Sequence, residues 1–211
     1  VSDFGPLYVI DDPSALLGCV LGALLAVVLR GIVQARVAAS MGDVSGTRAG
    51  RGRADVRQHV EPYGVVAWVI TGWGWGIPLP WAWRARRSAR LVPALLGPLT
   101  YLILTVGFCA VAAGSSSDVR RASITAALTS AGFFVLSLVP VPPLDGWVIV
   151  RTLARRSPGM EKAHFHLEER NIGMLVALAL VLLPRLFPSF PDPIGRLAVR
   201  LVSELLRAMG L

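Results

Sequence analysis

From Ala122 to Leu144 the chain runs 23 residues without a charge and then presents a single carboxylate, Asp145. The run closes on Pro140-Val141-Pro142-Pro143, three prolines in four residues. Proline lacks the N–H and its ring clashes with the preceding turn, so the backbone here is extended or broken. A membrane-length segment therefore ends on irregular backbone that carries an acid. An ionisable group in such a place is costly unless paired, which makes it a functional-site candidate. Two readings stand side by side: a buried, partnered Asp145, or an Asp145 at the water interface capping the helix that follows.

Four further uncharged runs point the same way: 13–29, 62–83, 91–117 and 171–184. Roughly 20 apolar residues span a bilayer, so all but the last are long enough, and the last needs its flanks. With 54% hydrophobic and 16% charged residues, the chain is unlike an ordinary soluble domain. The expected class is an all-α integral membrane protein with four to five transmembrane helices. A net charge of +8 does not imply nucleic acid here, because the arginines sit between apolar runs, where they set topology and meet anionic headgroups. Cys19 and Cys109 both fall inside apolar runs and read as small buried hydrophobes. The chain begins without a basic stretch, so no cleaved signal peptide is expected.

In chain order, Asp12-Pro13-Ser14 is a helix start and Gly42-Asp43 a stop, which predicts a first helix over 12–41. A basic loop, 43–61, carries Arg48, Arg51, Arg53 and Arg57; the positive-inside tendency makes it cytoplasmic and puts the N-terminus outside. Residues 62–83 hold five of the six tryptophans with Gly72, Gly74, Gly76, Pro78 and Pro80, and a second arginine cluster follows. A full crossing would put that cluster on the wrong side, so a re-entrant segment is expected, with a glycine-weakened spanning helix as the alternative. Transmembrane helices are predicted at 91–113, 122–140 and 171–187. An amphipathic helix over 193–211 lies on the membrane or packs on the bundle. The whole of 1–211 reads as one domain.

Pro142-Pro143-Leu144-Asp145-Gly146, Leu95-Leu96-Gly97-Pro98-Leu99, His59-Val60-Glu61-Pro62-Tyr63-Gly64 and Ala38-Ala39-Ser40-Met41-Gly42-Asp43 occur in an order and spacing that resembles the site-2 protease family of intramembrane zinc metalloproteases, in its minimal form without a PDZ domain. The resemblance implies that Asp145 matches a zinc ligand. It also implies an HExxH motif on the first helix, two histidine ligands at i and i+4 with glutamate as general base. Counting back from Gly42-Asp43, that stretch reads Arg30-Gly31-Ile32-Val33-Gln34. Arginine does not ligate zinc, glutamine is a poor ligand, and glycine accepts no proton. Two family asparagines are likewise replaced, by Pro80 and Ser137.

No catalytic residue, resident metal or cofactor is therefore expected. If the fold is retained, Arg30 and Gln34 face Asp145 and form an ion pair in place of the metal. The alternative has Arg30 reaching the cytoplasmic headgroups and Asp145 hydrated. Trp73, Trp75, Pro78, Pro80, Ser137, Pro140 and Pro142 are the expected groove for a partner helix. The leading function is a catalytically inactive relative that binds, regulates or structurally supports another membrane protein. A second reading is an active metalloendopeptidase with atypical ligands, Asp145 and His59 on zinc. The third is a small transporter or channel. His164 and His166, with Glu161 and Glu168, read as part of a solvated helix. Expected partners are the lipid bilayer and a transmembrane helix of another protein, with no nucleic acid, in a bacterial plasma membrane.

Overall fold

A computed structural model describes residues 4–82, 84–154, 157–187 and 189–211. Trp83, which the sequence reading placed in the re-entrant segment, lies outside these residues. The described residues are helical, without a strand beyond one isolated bridge. In order they form α1 (Pro13–Ser40), α2 (Ser45–Arg48), α3 (Pro62–Thr71), α4 (Arg87–Ala113), α5 (Ser117–Ser137), α6 (Asp145–Leu153), α7 (Pro158–His164), α8 (Ile172–Leu186) and α9 (Pro193–Ala208).

Helix α1 starts because Asp12 accepts from the Ser14 and Ala15 amides, with Pro13 as the first helical residue. The Ser14 hydroxyl and the Ala15 amide, with Arg121 beside them, hold the Asp12 carboxyl down at about 2. At 28 residues α1 is about 42 Å long. It packs with α4 and α5 into a mutually contacting three-helix core. Small residues allow the close approach of α1 to α5: a Cβ on Gly18 would lie 2.0 Å from the Ala122 carbonyl oxygen, and one on Gly22 2.8 Å from Ala126 Cα. Both cysteines are fully buried and free.

Among the described residues, two helices, α1 and α4, are long and apolar enough to cross a membrane. Helix α5 begins with Asp118, Arg120 and Arg121, and α3 and α8 are shorter apolar helices. Boundaries moved from the sequence reading by a few residues: α4 starts at Arg87 rather than 91, because Pro93 falls in its second turn and is tolerated inside the helix. Helix α5 stops at Ser137 rather than 140, since the proline segment cannot continue it.

The 62–82 stretch folds back on itself. Helix α3 rises about 15 Å over 10 residues and ends at Gly72, which adopts φ 79° and donates its N–H to the Trp68 carbonyl. From there the chain is extended, and four residues at about 3.3 Å each return it by a similar length. Val60 accordingly bridges Gly76, and the Ile77 amide donates to the His59 carbonyl at 2.8 Å. Helix α9 packs along α5 and α4: Ile194, Ala198 and Val202 are buried while Arg196, Arg200, Glu204 and Arg207 are exposed.

Candidate functional site

The site is assembled from three helices and one broken turn. Pro140 to Pro143 end α5, the chain turns through backbone bonds such as Leu144 N–H to the Val141 carbonyl, and α6 opens at Asp145. A carboxylate in the first turn of a helix sits at the positive end of its dipole. Gly146 lets the turn close, because a Cβ there would lie 2.4 Å from the Leu138 carbonyl oxygen. Asp145 is thus buried, 2% exposed, at the head of a short helix packed on α4.

Opposite it, α1 presents Arg30 and Gln34 from one face, four residues apart. Arg30 Nε donates to Asp145 Oδ2 at 2.8 Å and Arg30 Nη2 to Oδ1 at 2.5 Å, a two-pronged pairing. Gln34 Nε2 donates to Asp145 Oδ1 at 3.0 Å and to the Pro93 carbonyl at 3.1 Å, joining α1, α4 and α6. Arg30 is 4% exposed and Gln34 is fully buried, so the charges meet away from water. Such a pair is costly to bury, and its forked geometry with an added donor is what offsets that cost. Gln34 Oε1 finds no hydrogen-bond partner among the described residues. Gly97 on α4 makes the convergence sterically feasible: a Cβ there would lie 2.3 Å from Asp145 Oδ2 and 2.4 Å from Gln34 Nε2.

A zinc ion does not fit this arrangement. Both Asp145 oxygens are engaged by side-chain donors, and no three His, Cys, Asp or Glu side chains converge among the described residues. The cavity beside the carboxylate, walled by Tyr101, Phe133 and Ser137, measures about 10 Å³, room for at most one water.

His59 is buried at 1% exposure, but its imidazole lies on α1 at Gly31. Its Nε2 is 2.9 Å from the Arg53 carbonyl, to which it donates. Burial holds its pKa below the ordinary value. Glu61 accepts from the Gly64 amide at 2.5 Å and caps α3. His164 pairs with Glu168 at 2.6 Å, and Glu168 also holds Arg151 and the Trp147 indole. His166 faces the Lys162 carbonyl instead, so the two histidines have different partners.

The seven residues named as a partner groove do not share one open surface. Trp73, Trp75, Ser137 and Pro142 are buried, Pro78 is half-buried, and Pro80 and Pro140 are exposed. Trp73 is sealed against Gly132 and stacks on Phe4 at 5.2 Å. An open apolar cleft lies between α1 and α3, and of the seven residues Trp75 lines it. Asp43 was not singled out as a functional residue: fully buried, it accepts from Ser45 and Ala82 amides and ties the end of α1 to the returning segment. Its place directly after the Gly42 stop was the available signal.

The fold and site define a helical protein of membrane-type composition, with an aspartate on a broken segment facing the first helix. Among proteins of known description, the chain is similar to "Putative zinc metalloprotease YwhC" of Bacillus subtilis (strain 168), 28% identical over 168 residues, covering 72% of this chain and 74% of that one. That likeness supports a metalloprotease-like relationship. No family model matches the chain, and no solved structure matches it.

Proposed function

We propose that the protein is a site-2-protease-like membrane protein whose metal centre is replaced by the Arg30–Asp145–Gln34 cluster, and that it acts without proteolysis as a binding, regulatory or structural subunit for another membrane protein. The observation that carries this reading is the forked bond of Arg30 to both oxygens of Asp145. The relative named a metalloprotease supports the ancestry. In this reading α1, α4, α5 and α8 cross a bacterial plasma membrane, with the N-terminus outside and the basic loops in the cytoplasm. The doubled-back stretch from Pro62 is the re-entrant segment, and the partner is a transmembrane helix of another protein.

Elemental analysis of untagged protein in mild detergent tests it. The expected result is far less than one zinc per chain, together with no cleavage of a transmembrane substrate. Zinc near one per chain, lost in both Asp145→Ala and His59→Ala, would restore the metalloprotease in its place.

A further inference from the structure

The cleft between α1 and α3 has a volume of about 470 Å³ and adjoins the small cavity beside Asp145 through Trp75 and Phe133, which line both. Val20, Leu24 and Val27 form one wall and Val65 and Trp68 the other. Its apolar length ends at Arg57 and Glu61. Glu61 keeps its negative charge but is buried, its carboxylate accepting from the Gly64 amide at the start of α3, whereas Arg57 is exposed. Arg48 and Arg53, on the same loop, are exposed too.

The apolar lining and the volume of the cleft suit a flexible hydrocarbon chain. Charge selects the headgroup, since a cation on a basic loop at the mouth of an apolar cleft favours a phosphate.

We propose that the cleft holds one acyl chain of an anionic phospholipid, with its phosphate against Arg57. The lipid would complete the wall that α3 leaves open on α1, and this holds whether or not a metal binds near Asp145.

The probe is phosphatidylglycerol, compared with phosphatidylcholine of identical chains. Native mass spectrometry of the detergent-released protein should show one retained phosphatidylglycerol per chain and at least fivefold less phosphatidylcholine. Arg57→Ala should remove that preference, and Val65→Trp, which fills the cleft, should remove the bound lipid. Val20→Trp repeats the filling from the opposite wall, should Val65→Trp fail to fold. Independently, brominated phosphatidylglycerol should quench wild-type tryptophan fluorescence more than that of Trp68→Phe. Equal retention of the two lipids, retention unchanged by Arg57→Ala and both filling variants, or equal quenching in Trp68→Phe would overturn the proposal. A dimer of this chain that Val65→Trp abolishes would overturn it in favour of a second copy.

Discussion

Gly31 and His59 occupy one another's space: a Cβ on Gly31 would lie 2.2 Å from the imidazole Nδ1. Gly31 stands where the family resemblance calls for the general-base glutamate. The histidine ring is seated on that bare stretch of helix and fixed from its other side by the Arg53 carbonyl at 2.9 Å. A side chain at 31 and the ring at its present place are mutually exclusive.

Gly31→Ala should consequently destabilise the protein by roughly 1–3 kcal/mol, the usual range for overpacking. Made in a His59→Ala background, the same substitution should cost clearly less. Unfolding free energies from SDS titration in mixed micelles measure both, and equal costs in the two backgrounds would separate Gly31 from His59.

Stability should fall as the medium becomes acidic through the same ring. Burial, more than the nearby Arg51 and Arg30 charges, pushes the His59 pKa below its ordinary 6.5, while the bond to the Arg53 carbonyl opposes the shift. Above that value both folded and unfolded forms are neutral. Below it the unfolded chain takes up the proton first, so stability declines from about pH 6.5 down to the lowered folded value. The advantage in melting temperature of wild type over His59→Gln should shrink between pH 7.5 and pH 5. A constant difference across that range would contradict this assignment.

Gly97→Ala should disturb the ion pair from the α4 side, since its methyl would press on both Asp145 Oδ2 and Gln34 Nε2. A loss of at least ~1–3 kcal/mol is expected. Gln34→Ala should relieve part of it by vacating one of the two contacts. If Gly97→Ala melts like wild type, the three helices do not meet as closely as described.

At the other end of α3, Arg185 Nη2 donates to the Phe4 carbonyl at 2.7 Å and the Thr71 carbonyl at 2.9 Å. Its guanidinium lies over the Tyr8 ring, 5.0 Å from the centroid. One charged donor thus ties the N-terminal segment and the end of α3 to α8. Hydrogen bonds to charged groups contribute ~1.5–3 kcal/mol, so Arg185→Ala should speed amide exchange around residues 4–12 and 68–73 by about tenfold or more. Exchange unchanged at both segments would show that the packing of Phe4 on Trp73 suffices without it.

The helices were legible because uncharged runs and their breakers are local: Asp12-Pro13 opens α1, and the Pro140–Pro143 segment ends α5. The doubling back at Gly72 was signalled by glycine and proline content and by the arginines after it. The pairing of Val60 with Gly76 depends on matched lengths of helix and extended chain, which no local pattern reveals. At the site, Asp145 stood out as a lone acid ending an uncharged run, and Arg30 and Gln34 stood out where the resemblance implies an HExxH motif. Of their supports, Gly97 lay within the Leu95–Leu99 motif, while Pro93 acts through its backbone carbonyl and gave no side-chain signal. The groove expected from tryptophans and prolines illustrates the limit. Aromatic content marks large buried area as readily as an open surface, and Trp73 and Trp75 went into the interior.

The most direct test is a double-mutant cycle on Arg30 and Asp145, read as unfolding free energy in mixed micelles. Removing one partner of a buried pair typically costs ~3–5 kcal/mol, because the other charge is left uncompensated. Arg30→Ala and Asp145→Ala should each fall in that range, and the double variant should lose far less than their sum. Strictly additive losses, or an Arg30→Ala protein as stable as wild type, would mean that the pair does not brace the first helix against the segment carrying Asp145.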